Sequence, residues 1–275
     1  MKNIIKIILI TCLLVSWSTS QKSNIFYYQL SFKKDSLSSK YENDLYILDI
    51  VENQQKFYNH EFYLNDSIVN SRPNGGYIFS YPKLDIRLKL NKKGEFIEYH
   101  SFTPLYYSLK DETALNWKIL DEKKKIREFS VQKATTNFGG RVWEAWFTTE
   151  IPLPYGPYKF HGLPGLILEV YDTKNNFIFS FVGSKNLNKE YDTTKFLETQ
   201  NGISPIEVSL KQMQKIKLDY FLNPLKDFGS GGLIVENERG EKVQADSREI
   251  IKKQQHFLRK NNNPIEIDRV VKYPE

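Results

Sequence analysis

Short runs of alternating apolar and polar residues, separated by turn-forming residues, are the feature that most constrains the fold of this chain. The clearest run covers residues 26–32, where aromatic and aliphatic side chains at even positions alternate with Tyr27, Gln29 and Ser31. Because successive side chains of a strand point to opposite faces of its sheet, this period of two predicts a strand with one buried face. Other strand-length runs lie at 45–51, 56–63, 77–81, 85–90, 95–102, 117–120, 126–134, 141–149, 166–171 and 176–182.

Glycine, proline and asparagine residues lie between these runs. The segments 91–94, 136–140 and 172–175 combine Asn or Asp with Gly or Lys, which predicts hairpin turns. The Arg-Pro-Asn-Gly-Gly cluster at 72–76 predicts a loop. Short strands at this spacing, joined by such turns, are typical of an antiparallel meander.

The C-terminal part of the sequence changes character. Ser204 and Glu207 have the spacing of a capping box with Pro205 at the first helical position, so the sequence predicts a helix that begins there and ends near Asn223. Residues 246–259 predict a second, more polar helix. We therefore expect a mainly β fold, a curved antiparallel sheet with one or two C-terminal helices on its concave side. By analogy it resembles the half-barrels of periplasmic lipoprotein carriers such as LolA.

The first twenty residues have the pattern of a cleavable signal peptide. Lys2 and Lys6 precede an apolar run, and the small residues at 18–20 fit a cleavage site, which leaves 21–275 as the mature chain. The apolar run is shorter than the roughly 20 residues of a membrane-spanning helix, so we expect no stable span after cleavage. The sequence predicts export to the periplasm or association with the outer membrane, and a single mature domain.

Cys12 is the only cysteine. A lipoprotein would carry it at the mature N-terminus, but no small residue precedes it and the apolar run continues past it, so lipidation is the less favoured alternative. Cleavage after Ser20 removes Cys12, and the mature chain then has no disulfide and no thiolate ligand.

Charge argues against a nucleic-acid partner. The formal net charge of +6 falls to +4 when Lys2 and Lys6 are removed with the signal peptide. The remaining Lys and Arg residues are scattered among Asp and Glu and form no basic stripe of the kind that binds phosphates. We expect no nucleic acid among the partners of this protein.

The most distinctive segment is 151–167, which is dense in proline, glycine and aromatic residues. A phosphate-binding loop is excluded because Pro157 and Pro164 remove N–H donors and a strand, not a helix, follows. The segment ends in a six-residue motif: Gly162, Leu163, Pro164, Gly165, Leu166 and Ile167.

This motif is the one that names the GLPGLI family of exported proteins from Bacteroidota-type bacteria, and the chain resembles that family over most of its mature length. Other matching residues are Trp117, Lys118, Ile119, Gly140, Arg141, Ala145, Trp146, Glu150, Ile151, Pro152, Gly156, Pro157, Lys159, Phe160, Asn263, Pro264, Ile265 and Glu266. The resemblance implies export but no particular chemistry, since the family has no established activity. Many members carry a cysteine where this chain has Val131, so a thiol function there does not apply.

We interpret the motif as structural, because its prolines fix φ, its glycines permit positive φ, and its large aliphatic side chains suit a core. The alternative is a rigid loop that lines a ligand groove with aromatic walls. The walls would come from Trp143, Trp146, Tyr155, Tyr158 and Phe160. The candidate binding residues are Arg141, Trp146, Tyr158 and His161.

Evidence for catalysis or metal binding is weak. The four histidines, at 60, 100, 161 and 256, lack zinc-type spacing, and no Gly-x-Ser-x-Gly elbow is present. His161 is a candidate general base without a partner nearby in the sequence. Glu144 and Glu150 would lie about 20 Å apart on an extended strand, too far for a glycosidase pair. Arg141 and Glu144 have opposite parity and would point to opposite sides of the sheet, and we interpret these charged residues as solvated rather than as a catalytic pair.

The function that this sequence favours is a non-enzymatic binding or accessory role, with an apolar small molecule or an envelope protein as partner. We expect no cofactor and no metal. The alternatives are an envelope- or peptide-directed hydrolase and a structural envelope component. A buried apolar pocket would favour binding, His161 and Arg141 converging with an acid would favour the hydrolase, and a filled core without a cavity would favour the structural component.

Overall fold

The computed structural model describes residues 22–52, 54–71, 80–102, 105–200, 202–226, 234–236, 242–244 and 246–275. The predicted signal peptide, the predicted loop at 72–76 and most of the predicted strand at 77–81 lie outside the described residues.

Twelve strands form one curved, unclosed sheet, which confirms the predicted fold class. In spatial order the strands are β12 (Ile206–Val208), β6 (Leu105–Asp111), β5 (Phe96–Phe102), β4 (Arg87–Leu90), β3 (Gln54–Asn59), β2 (Glu42–Val51), β1 (Ser23–Phe32), β11 (Phe177–Leu187), β10 (Leu166–Asp172), β9 (Arg141–Thr148), β8 (Phe129–Phe138) and β7 (Lys118–Ile126). Neighbours are antiparallel except β12, which runs parallel to β6. A separate hairpin consists of β13 (Ile234–Glu236) and β14 (Lys242–Gln244).

The order of the strands is a double meander around β1. From β1 the chain steps outward through β2 to β6, and from β7 it steps back through β8 to β11, which pairs with the free side of β1. Strand β6 and the β13–β14 hairpin were not predicted from the sequence. Their runs are short or interrupted, and their pairing partners decide the conformation.

Within the described residues the α-helices are α1 (His60–Ser71), α2 (Leu210–Leu222) and α3 (Ser247–Lys260). No helix among the described residues is long and apolar enough to cross a bilayer. Helix α1 corrects the predicted strand at 56–63, because β3 ends at Asn59 and the helix begins at His60. The Asn59 side-chain oxygen accepts a hydrogen bond from the backbone N–H of Glu61 at 2.9 Å, a local contact that starts the helix.

The predicted start of the first C-terminal helix at Ser204 is wrong by five residues. Residues 206–208 pair with β6 as β12, and the capping box is formed by Ser209 and Gln212. The Gln212 side chain accepts from the Ser209 N–H at 2.8 Å, and the Ser209 hydroxyl accepts from the Gln212 N–H at 3.3 Å. Both serines fit the capping pattern, and strand pairing selects the second. The predicted helix end at Asn223 and the second helix are confirmed.

Alternation divides the buried residues between the two faces of the sheet. The even positions of β1 and the phenylalanines of β11, Phe177, Phe179 and Phe181, belong to the main core. Ile25 and Ile47 point to the other face, where they form a smaller cluster. The remaining buried members of that second cluster are Tyr58, Tyr99, Tyr106 and Leu197.

The 149–165 connection between β9 and β10 packs on the main core. Tyr158, Phe160 and Leu163 are all buried in it, whereas the buried residues of α2, Met213 and Phe221, belong to neither cluster. The proline- and glycine-rich loop therefore supplies large aromatic side chains to this core. Helices α2 and α3 line a pocket together with β4 and β5, where Tyr220 contacts Phe102 edge-on.

Two glycines let this connection approach its neighbours closely. A Cβ on Gly165 would overlap the Thr148 carbonyl oxygen and lie 2.7 Å from its carbon. A Cβ on Gly156 would lie 2.8 Å from the Cβ of Ile167. The first contact is backbone against backbone, so neither side can move away without disturbing the β9–β10 pairing.

Gly165→Ala is therefore expected to destabilise the protein by more than about 3 kcal/mol, because the added methyl group overpacks a site with no flexible neighbour. The control is Gly183→Ala in β11, where a Cβ would meet nothing within 4 Å. The control should change stability by less than about 1 kcal/mol. Urea unfolding curves measure both, and equal midpoints for the two variants would contradict the close approach.

Candidate functional site

Lys159 is a fully buried cation in the 149–165 connection. Its Nζ atom lies 2.7 Å from Glu98 Oε1, 2.7 Å from Asp111 Oδ2 and 2.6 Å from Glu266 Oε1. These carboxylates come from β5, the end of β6 and the C-terminal segment. A buried charge is tolerated only when it is paired and hydrogen-bonded, so Lys159 joins three distant parts of the chain at one point.

Arg269 binds the same three carboxylates from the other side. Its Nη1 atom lies 3.2 Å from Glu98, its Nη2 atom 2.7 Å from Asp111 and its Nε atom 2.8 Å from Glu266. The hydroxyl of Tyr158 also donates to Glu266. We call these six residues the charge cluster, and every one of its carboxylates is held by at least two donors.

Opposite charges in the cluster counteract the effect of burial, except at Glu266, where burial and the nearby Glu98 raise the pKa. Burial alone would raise the pKa of Asp111, but Lys159 and Arg269 hold that pKa below its usual value. Burial likewise opposes ionisation of Glu98, yet His100 and Lys159 keep its pKa low. Burial would lower the pKa of Lys159, and the surrounding carboxylates raise it instead. Lys159 is therefore a stable ammonium, which is a poor nucleophile.

The three carboxylates are also close enough to hold a metal ion, since their oxygens lie within 4.8 Å of one another. The position that an ion would take is already filled, because the Lys159 ammonium lies 2.6–2.7 Å from an oxygen of each carboxylate. The donor set is thus satisfied by a lysine, and we assign no metal to it.

Local backbone geometry aims Lys159 at the carboxylates. Tyr158, the preceding residue, has a φ of +56°, which turns the chain sharply. The Gln55 side chain donates to the carbonyls of Gly156 at 3.1 Å and Tyr158 at 2.7 Å. The turn between β8 and β9 holds the C-terminal segment that carries Glu266. Here the Gly139 carbonyl accepts a hydrogen bond from the N–H of Ile267 at 2.7 Å.

A cavity of about 330 Å³ opens beside the charge cluster. Its polar wall includes Glu98, Glu266 and Arg269 of the cluster together with His100 and Lys217. The rest of the lining is mainly apolar and includes Leu88, Phe102, Tyr220, Leu258, Ile265 and Tyr273. An apolar pocket with a few convergent polar groups is the usual form of a small-molecule site.

Of the four candidate binding residues, Tyr158 lines this cavity, and the other three lie elsewhere. His161 places its Nδ1 atom 2.8 Å from the Lys159 carbonyl, and its ring contacts Phe96 edge-on. Trp146 is buried beneath Lys124, whose ammonium lies 4.2 Å from the ring centroid. The described structure therefore does not bring the candidate residues together.

The placement of Arg141 on a solvated face is wrong. Arg141 is buried, and its guanidinium lies 3.2 Å from Asp172 and donates to the Ile265 carbonyl at 2.8 Å and to Asn263 at 2.6 Å. It faces the main core and fastens the C-terminal segment to β9. Charge alone suggested exposure, and the buried partner 124 residues away could not be seen locally.

Two of the proposed aromatic groove walls, Trp143 and Phe160, are fully buried in the main core. The six-residue motif is also mostly internal. Leu163, Leu166 and Ile167 are buried, and Gly162 adopts a φ of +91°. The N–H groups of Leu166 and Ile167 donate to the carbonyls of Ile151 and Tyr155, both at 3.0 Å.

Reasoning from the sequence missed the charge cluster and Lys217. Glu98, Asp111, Lys159, Glu266 and Arg269 are scattered over 172 positions of the chain, and no spacing connects them. One signal was present: Lys159 and Glu266 are among the residues on which the resemblance to the GLPGLI family rests. A lysine among aromatic and proline residues in a segment predicted to be buried requires an acidic partner.

Lys159→Met should destabilise the protein by about 3–5 kcal/mol, because it leaves buried carboxylates without their shared cation. The matched control is Lys253→Met, which removes the lysine of an exposed ion pair with Glu249 on α3. That variant should cost less than about 1 kcal/mol. Urea unfolding at neutral pH compares the two. An equal, small effect would mean that the buried ammonium does not organise the fold.

Comparison with known proteins finds a family that matches part of the chain and solved structures of similar fold. The family described as "Protein of unknown function (Porph_ging)" matches residues 139–169, which contain Lys159 and the motif at 162–167. No curated protein matches the chain. The solved structure of PNGF-II in space group C2 is similar with a TM-score of 0.50 and 18% identity, over 71% of this chain and 32% of that one. PNGF-II in space group P21 gives 0.49 and 18%, over 72% and 33%.

The chain thus spans about a third of the length of PNGF-II. At 18% identity the likeness shows a shared fold.

Proposed function

We propose that this protein is an exported, non-enzymatic binding protein of the periplasm or outer membrane that holds an apolar small molecule in the cavity beside the charge cluster. The observation that carries the proposal is the cavity itself, mainly apolar and about 330 Å³ in volume, within the size range of ligand pockets. The mature chain, residues 21–275, acts as one domain of the GLPGLI family.

The charge cluster supports binding over catalysis. Each carboxylate of the cluster is engaged by both Lys159 and Arg269, so the three side chains are fixed in position. Residues held this firmly make a rigid wall, and a preformed site loses little conformational entropy when a ligand enters. The cluster is a scaffold for the cavity in this proposal.

Family membership rests on the motif and its surroundings. The Porph_ging match covers 139–169 and includes all six motif residues. In this proposal Gly162, Leu163, Pro164, Gly165, Leu166 and Ile167 have a structural function. They fix the end of the 149–165 connection. Lys159, which precedes the motif in that connection, organises the cavity wall. The fold of half-barrel carriers supports a carrier function only by analogy.

The two alternatives have less support. A hydrolase would need His161 and Arg141 to converge with an acid, but in the described residues these two side chains have no partner in common. A purely structural component needs no ligand cleft, whereas one of about 330 Å³ opens beside Glu98 and Lys217. A binding function accounts for both the separate positions of His161 and Arg141 and the presence of the cavity.

Binding is tested with N-phenyl-1-naphthylamine, an uncharged fluorophore whose emission rises in apolar surroundings. The mature protein should raise its fluorescence saturably. Leu258→Trp, which fills the cavity from α3, should abolish that rise. Phe257→Trp is the control, since Phe257 directly precedes Leu258 on the same helix, is half exposed and does not line the cavity.

A saturable signal in wild type and in Phe257→Trp, lost in Leu258→Trp, supports the proposal. No signal in wild type, or an equal signal in all three proteins, rejects it. Circular dichroism of each variant checks that the fold is retained.

Export is tested on the protein from its native source. Mass spectrometry should find an N-terminus close to Gln21 in the envelope fraction, because the small residues at 18–20 fit the cleavage site. Intact Met1 in a soluble cytoplasmic fraction would reject export.

A further inference from the structure

We propose that the ligand of this cavity is an acidic amphiphile, an apolar chain that ends in a carboxylate bound by Lys217. The inference rests on the proposed function and adds the chemical class of the ligand. It follows from the charges on the polar wall and from the apolar residues opposite them.

Lys217 is the cation of the cavity wall that lacks a direct partner. It projects from α2, and within the described residues its ammonium forms no hydrogen bond and no ion pair within 4.0 Å. Burial lowers its pKa, and the attraction of Glu98 and Glu266 does not make up for that effect. An anion in contact with Lys217 would favour the charged ammonium and so offset the effect of burial on its pKa.

The acidic residues of the wall do not stand against such a ligand. Glu98, Asp111 and Glu266 are matched by Lys159, Arg269 and Lys217, so these six groups carry no net charge. The two cations of the cluster are each in contact with all three carboxylates, and Lys217 touches none of them. Lys217 is therefore the cation on this wall whose ammonium no carboxylate of the cluster contacts directly.

His100 offers a second polar group in the same cavity. Its buried Nε2 atom lies 3.5 Å from Glu98 Oε2, close enough to attract that carboxylate but too far for a short hydrogen bond, and it has no other partner among the described residues. A buried polar atom without a partner costs free energy unless water or a ligand satisfies it. A carboxylate oxygen can accept from His100 when Nε2 carries the proton.

The apolar end of the ligand has a matching surface. Tyr220 lies one helical turn beyond Lys217 on α2, and Leu258 and Tyr273 complete that side of the cavity. Residues three positions apart on a helix lie on the same face. A carboxylate bound at Lys217 therefore directs the attached chain along Tyr220. The arrangement separates a charged head from an apolar tail.

Three ligands with one tail and different heads test this inference: decanoate, decanol and decylammonium. Each is titrated against the mature protein by isothermal calorimetry and by displacement of N-phenyl-1-naphthylamine at neutral pH. Wild type should bind decanoate at least about tenfold more tightly than decanol, as a charge-assisted hydrogen bond predicts, and decylammonium most weakly.

Lys217→Met should remove the preference for decanoate and leave binding of decanol and of the fluorophore within about twofold. Lys217→Arg should restore part of the preference, since it keeps the charge. Lys215→Met is the matched control, because Lys215 is exposed on the same helix, and it should behave as wild type.

The outcomes separate the inference from the proposed function. If wild type binds the fluorophore but prefers decanol or decylammonium to decanoate, the ligand class is wrong and the binding function stands. If wild type prefers decanoate and Lys217→Met keeps that preference, Lys217 is not the recognition group. If wild type binds neither fluorophore nor decanoate, the proposed function fails as well.

Discussion

The ammonium of Lys159 is the interaction on which the rest of this structure depends. Placing one positive charge in a dry interior requires negative partners, and the chain supplies them from β5, from the end of β6 and from the C-terminal segment. Packing of the 149–165 connection, docking of the last residues and the shape of the cavity wall all follow from satisfying that charge. Arg269 completes the arrangement by returning to the same carboxylates.

Most of the fold could be predicted from the sequence because period-two alternation is a local signal. The faces of β1 and β11 follow directly from it, and so do the hairpin turns between the later strands. Prediction failed where tertiary partners decided the conformation. Ser204 and Ser209 are both acceptable caps, and pairing of β12 with β6 selects Ser209. Helix α1 follows a strand so closely that its aromatic residues extended the strand pattern.

The candidate site could not be predicted for a different physical reason. Its charges meet only after the sheet has curved and the C-terminal segment has returned to it, so sequence spacing carries no information about their distances. Tyr158 was selected for its aromatic character, and in the structure its hydroxyl binds Glu266. Arg141 was placed on the surface because most arginines lie there, and its buried position follows from contacts with Asp172 and Ile265.

The position of β1 has a consequence for how the chain folds. The first strand of the sheet lies at its centre and needs β11, whose paired residues follow more than 140 positions later, as in the pairing of Phe32 with Phe177. Such distant pairings slow folding, because the entropy of closing a long loop is lost before the contacts that offset this loss can form. While the chain is still incomplete, β1 has an open hydrogen-bonding edge and an aromatic face without cover. Until its second half is complete, the chain therefore exposes an edge and a face of the kind through which proteins aggregate.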